Sequence, residues 1–207
     1  MKSVSGKHWE EISVNKRLID KVKIDHKFSD LISKSIVYRN FSNREVYSIN
    51  NDVDLSNPFF KNKDFKLATE TFKKHIDNKD KILVIGDYDV DGCISTSLII
   101  NFLNKHNANS SYFIPNRFND GYGASINLIK KLVKKILPKL IIMVDCGSNS
   151  IDSVEFLNKN KIETIIIDHH NINRPYPKSN VLINPKKECD YKLYDYYCSA
   201  FLTYSFL

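Results

Sequence analysis

Between residues 81 and 183 the chain alternates short, continuous apolar runs with longer stretches whose apolar residues recur at helical spacing. The runs at 81–85, 111–114, 140–144, 162–167 and 181–183 are too short for helices and rich in β-branched residues. They predict five strands. Several are apolar throughout rather than alternating, which is the pattern of strands covered on both faces of a parallel sheet. The intervening segments 95–106, 124–136 and 150–159 predict helices, the first with Leu98, Ile99, Phe102 and Leu103 facing inward. A strand-helix alternation of this kind specifies an α/β, doubly wound, mainly parallel sheet with helices on both faces.

Outside that core the pattern weakens. Residues 65–76 carry Leu67, Phe72 and Ile76 at helical intervals and predict a helix leading into the first strand. Residues 50–57 are rich in Asn, Asp and Ser and run into Pro58, which marks a linker and divides the chain into an extension, 1–57, and a main domain, 58–207. Within the extension Leu18, Ile19, Val22, Leu31, Ile32 and Ile36 predict one or two short helices, with Trp9 either an anchor on the main domain or a base-stacking platform. A last helix, 196–207, has no carboxyl-terminal cap and stays apolar to its final residue, so the chain reads as cut within a domain.

Composition adds exclusions more than assignments. With 42% hydrophobic and 27% charged residues in 207, the chain is that of a folded globular protein. No apolar run reaches the roughly 20 residues a membrane span requires, and the first residues lack a signal-peptide core, which predicts a cytoplasmic chain with no membrane partner. A monomeric state is expected. The net charge of +7 fits attraction to phosphates, although 26 of the 31 basic residues are lysines scattered along the chain. Cys93, Cys146, Cys189 and Cys198 form no CxxC pair, so zinc-finger and thioredoxin-like readings have no support.

The chemistry sits where the apolar runs stop. The first ends in GDYDVDG, with Asp87, Asp89 and Asp91 at alternate positions; the third ends in Asp145-Cys146-Gly147; the fourth ends in Asp168-His169-His170. An acidic surface turn accounts for the first of these taken singly. Recurrence of Asp or His at three strand ends points instead to one ligand site at the carboxyl edge of the sheet. Clustered carboxylates repel one another, and hard divalent cations relieve that repulsion. Carboxylate and imidazole donors without thiolate favour Mn²⁺ or Mg²⁺ over structural zinc, and their number suits two ions sharing a bridging carboxylate.

In this order and on strand ends, GDYDVDG, VDCG and DHH resemble the DHH phosphoesterase superfamily. Within it, PNRFNDGYGAS at 115–125 and INPKKECDY at 183–191 resemble the RecJ-like single-stranded-DNA exonucleases, from about residue 80 onward, with a fainter echo in SGKHW near the amino terminus. The resemblance implies that Asp89 and Asp91 each hold an ion, that Asp145 bridges them, and that His169 is a further ligand. It implies that His170 faces the scissile phosphate. Asp87 is either a ligand or an orienting group, and Asp168 is placed to fix the tautomer of a neighbouring imidazole. Arg117 is the candidate phosphate grip, while Tyr122, between Gly121 and Gly123, stacks on a base or supports the loop.

The implied function is 5′-to-3′ hydrolysis of single-stranded DNA in repair and recombination, with single-strand-binding or replication proteins as further partners. The alternatives are a phosphatase for short oligonucleotides, cyclic dinucleotides or pyrophosphate, and a nucleic-acid-binding scaffold without turnover. Two departures stand out. Ile85 occupies a position that is histidine in many superfamily members, and the family's later metal-binding aspartate and closing domain have no counterpart in these residues, so weak activity is expected of this chain by itself.

Overall fold

The computed structural model describes residues 3–8, 10, 12–50, 59, 62–116, 118–121, 123–187 and 197–207. It divides the chain into two compact units, residues 1–56 and 57–207.

The first unit contains three helices, α1 (Lys16–His26), α2 (Asp30–Tyr38) and α3 (Asn43–Asn50), where the periodicity predicts one or two. Side chains define where they begin. Asn15 accepts from the Arg17 amide, and Ser29 from the Ile32 amide. The third helix comes from a capping box too short to register as a periodic pattern: the Ser42 amide donates to Glu45 Oε2 at 2.7 Å, and the Glu45 amide donates to Ser42 Oγ at 3.3 Å. The buried centre is small, made of Phe28, Ile36 and Val46. Ile19 is buried as expected, whereas Leu18, Leu31 and Ile32 lie on the exposed side. Trp9 and the linker residues 51–58 lie outside the described residues.

The second unit is a three-layer α/β arrangement. It comprises α4 (Lys63–Asp77), β1 (Ile82–Ile85), α5 (Val90–Lys105), β2 (Ser110–Phe113), α6 (Ile126–Ile136), β3 (Leu140–Val144), α7 (Ile151–Lys159), β4 (Glu163–Ile167), β5 (Val181–Ile183) and α8 (Ser199–Phe206). All five strands are parallel in the order β2-β1-β3-β4-β5, with Ile82 opposite both Ser110 and Leu140, and Leu140 opposite Glu163. The pleat sends alternate residues to opposite faces. Ile82, Val84, Ile142 and Ile165 pack under Phe65, Phe72, Ile99, Leu103 and Leu202 of α4, α5 and α8. Leu83, Ile85, Ile141 and Ile166 pack under Leu128, Ile129, Leu132, Val154 and Leu157 of α6 and α7. Both faces of β1, β3, β4 and β5 are therefore dry, which explains why those strands read as continuous apolar runs, whereas edge strand β2 leaves Tyr112 exposed.

Two expectations shift in detail. Helix α5 starts at Val90 rather than residue 95 because Asp89 caps it, and the small polar residues of its first turns hide the helical period. In α4 the inward positions are Phe65, Ala68 and Phe72, while Leu67 is exposed. Among the described residues, no helix is long and apolar enough to cross a membrane, and Cys93, Cys146 and Cys198 are free thiols.

Candidate metal centre

The sheet order reverses direction at β1, between β2 on one side and β3 on the other. In open parallel sheets the loops leaving the strands diverge at such a switch point, opening a crevice at the carboxyl ends. Asp87, Asp89 and Asp91 follow β1, Asp145 follows β3, and Asp168, His169 and His170 follow β4, so the crevice is lined by the residues singled out from the sequence.

The acidic loop is held in a tight, specific conformation. Asp87 is buried and accepts from the Tyr88 amide at 2.8 Å. Its carboxyl is pushed up from the ordinary value by burial, with the Tyr88 amide opposing. Asp89 caps α5, accepting from the Gly92 amide at 2.9 Å, and this bond holds its carboxyl below the usual range. Gly92 is required by close approach: a Cβ there would lie 2.5 Å from the backbone nitrogen and oxygen of Asp87.

Asp145 is the centre of the arrangement. It is fully buried, and neither carboxylate oxygen has a hydrogen-bond partner. Two imidazoles approach it, His169 Nε2 at 3.4 Å and His170 Nδ1 at 3.9 Å from Oδ1. Burial pushes its carboxyl up, with His169 pulling the other way. The backbone at Asp145 adopts φ +58°, a left-handed conformation that Asp and Asn tolerate better than other side chains with a Cβ. That turn swings the carboxylate into the crevice.

The DHH segment is ordered around Asp168. Its Oδ1 accepts from the His169 amide at 2.8 Å and the His170 amide at 3.1 Å, and lies 2.8 Å from His170 Nδ1, while Oδ2 accepts from the Ser148 amide at 3.0 Å. Burial opposes ionisation of Asp168, but these donors prevail and bring its carboxyl down to about 2. The same contact raises His170 above the ordinary histidine value, and the neighbouring Asp145 raises His169.

Ligand atoms of Asp87, Asp89 and Asp145 lie within 4.8 Å of one another, and so do those of Asp145, His169 and His170. Asp145 belongs to both sets. A buried carboxylate with no hydrogen-bond partner, shared between two groups of oxygen and nitrogen donors, fits divalent cations. Asp91 is in neither set. Its Oδ2 accepts from the Ser199 amide at 2.8 Å and its Oδ1 from the Ala200 amide at 2.7 Å, with His169 Nε2 3.4 Å from Oδ2.

Arg117 and Tyr122 lie outside the described residues. Gly121 between them has φ +79° with open space where a Cβ would be, so its conformation rather than crowding selects glycine. The loop before it is built on Asn116, whose side chain accepts from the Phe118 amide at 2.9 Å, leaving the Phe118 ring exposed.

Sequence reasoning missed the groups that support the DHH segment. Asn184, the first residue after β5, donates to Ser148 Oγ at 2.7 Å and to the His170 carbonyl at 3.0 Å. A polar residue directly after an apolar run was the available signal, the same one that marks Asp145 and Asp168. Ser199 and Ala200 carried no such mark, because they act on Asp91 through backbone amides.

A family model described as DHH family, N-terminal domain, matches residues 81–207. The single-stranded-DNA-specific exonuclease RecJ of Bacillus subtilis (strain 168) is 31% identical over 165 residues, which is 78% of this chain and 21% of that protein. The enzyme of the same description from Haemophilus influenzae is 35% identical over 108 residues, 52% of this chain and 19% of that protein. The chain thus spans about a fifth of the length of these curated relatives. Among solved structures, exonuclease RecJ bound to manganese superposes with a TM-score of 0.64 at 26% identity, over 70% of this chain and 36% of that one. RecJ in complex with Mn²⁺ from Thermus thermophilus has a TM-score of 0.66 at 20% identity, over 94% of this chain and 27% of that one, a likeness of fold.

Proposed function

As the chain belongs to the DHH family, related to the RecJ single-stranded-DNA exonucleases, we propose that it carries the catalytic core of a metal-dependent exonuclease that hydrolyses single-stranded DNA from the 5′ end. The observation that supports this reading best is the sharing of buried Asp145 between the two ligand sets. Asp87, Asp89 and Asp145 would hold one Mn²⁺ or Mg²⁺ ion, and Asp145 with His169 the other. When bound, such a pair stabilises the attacking and leaving oxygens of an in-line phosphoryl displacement.

The remaining steps belong to the protein. Asp168 fixes His170 through Nδ1, so Nε2 is the ring nitrogen that exchanges a proton with substrate or water. The raised pKa keeps a larger fraction of His170 protonated near neutrality, which suits it to neutralise charge on the scissile phosphate. Arg117 would grip a neighbouring phosphate through a bidentate guanidinium. The Asn184–Ser148 pair buttresses the DHH segment and holds His170 in register.

The test is a single-turnover digestion, with the 207-residue chain in excess over 5′-labelled single-stranded DNA in Mn²⁺, run beside blunt duplex, pyrophosphate and a dinucleotide. Labelled product released from the 5′ end of the single strand alone is the expected result. Turnover restricted to the small substrates would make it a phosphatase, and DNA binding with neither product nor Mn²⁺ binding would make it a scaffold.

A further inference from the structure

The acidic loop and α8 are 108 residues apart in sequence, yet they are joined by two short charge-assisted hydrogen bonds. Ser199 and Ala200 are the first two residues of α8, and each donates its amide to a different oxygen of Asp91, at 2.8 and 2.7 Å. Amides in the first turn of a helix have no partner within the helix, and its positive dipole end favours a carboxylate. The Cys198 side chain at the cap position makes no such bond, so the N-terminal turn of α8 relies on Asp91. Ser199 is fully buried, and its hydroxyl has no hydrogen-bond partner. Its backbone amide is bonded to Asp91, while its side chain lies close enough to Asp145 to lower that carboxyl.

The consequence reaches the ligand sets. Asp91 sits in the first turn of α5, two residues after Asp89, and its Oδ2 is 3.4 Å from His169 Nε2. Anchoring Asp91 fixes the first turn of α5 against α8, and with it the position of Asp89 relative to Asp145 and His169. We propose that the first turn of α8 is a built part of the metal centre: Ser199 and Ala200 are positioning residues that set its affinity for divalent cations through Asp91. This rests on the metal-centre reading given above. Partners that orient metal ligands typically change affinity about 10–100-fold when removed.

Proline at the first position of a helix preserves the helix while deleting the amide hydrogen, so Ser199→Pro removes one of the two bonds and leaves α8 able to form. Mn²⁺ binding would be measured by calorimetry for the unmodified chain, Ser199→Pro, Asp91→Asn, the double variant and Asp145→Asn, with folding of each checked by circular dichroism. Ser199→Pro is expected to weaken Mn²⁺ binding about 10-fold or more, and to have little further effect in the Asp91→Asn background. Ser199→Ala, which keeps the amide but removes the hydroxyl beside Asp145, should lose less affinity than Ser199→Pro. Should Ser199→Pro misfold, Ala200→Pro removes the other donor and carries the same expectation. Equal losses from Ser199→Pro with and without Asp91, or no loss in a folded variant, would overturn the inference. If Asp145→Asn also binds Mn²⁺ normally, the metal-centre reading itself fails, which is a distinguishable result.

Discussion

Asp145→Asn should make the metal-free protein more stable and at the same time abolish its stabilisation by Mn²⁺. Asp145 is fully buried, its oxygens have no hydrogen-bond partners, and burial raises its carboxyl. An unsatisfied buried polar group costs about 1–3 kcal/mol, and more when charged. Asparagine still buries an amide at the same place, so only part of that cost is recovered, about 1–2 kcal/mol. For a chain of this size the gain corresponds to a rise in Tm of about 2–8 °C. Asparagine is the clean substitution because φ at this position is +58°, which alanine would adopt only with added strain. With Mn²⁺ at about 100 times its Kd, the unmodified protein should gain about 2.7 kcal/mol and the variant almost nothing, so the order of stability reverses. Because the folded-state pKa of Asp145 is raised, its penalty is present at pH above that pKa and disappears as pH falls below the unfolded value. The difference between the two proteins in chelator should therefore narrow on acidification. Urea unfolding at about pH 7, in chelator and in Mn²⁺, reads both effects. A variant no more stable in chelator, or one that gains as much from Mn²⁺ as the unmodified chain, would refute the reasoning.

Further outcomes follow from the same geometry. Asp168, lowered to about 2 in the folded protein, contributes about 2 kcal/mol that is present above its unfolded value and lost as pH falls from about 4 to 2; Asp168→Asn should remove that acid-sensitive component from the unfolding curve. In the same variant, histidine NMR titration of the metal-free chain should show His170 falling back toward 6.5. His169→Ala should weaken Mn²⁺ binding, whereas His170→Ala should spare it and remove hydrolysis; equal losses of affinity would contradict the division of roles. Gly147→Ala should destabilise by about 2–3 kcal/mol in urea, since φ is +106° and the new Cβ would lie 2.9 Å from Met143 Sδ. At the opposite end of the sheet, Glu163 pairs with Lys74 and His75 at a partly exposed site; Glu163→Gln should cost no more than about 1 kcal/mol and leave Mn²⁺ affinity unchanged in calorimetry.

The sequence by itself determined the strands and which acidic and histidine residues stand at their carboxyl ends, because both depend on local rules. Short β-branched runs such as 140–144 read as strands buried on two faces, and the Asp that follows 140–144 or 163–167 emerges at the sheet's carboxyl edge. What the tertiary structure decided is everything that depends on which elements meet. The strand order places β3 beside β1, which sets Asp145 between the acidic loop and the DHH segment. The left-handed turn at Asp145 and the burial that strips both oxygens of partners follow from that packing, not from the tripeptide around it. Asp87 and Asp91 show the limit most directly. They look equivalent in GDYDVDG, yet the fold buries Asp87 among the ligand sets and gives Asp91 to the backbone amides of Ser199 and Ala200. A backbone amide belongs to every residue except proline, so a contact made through it across 108 residues has no side-chain signature to read.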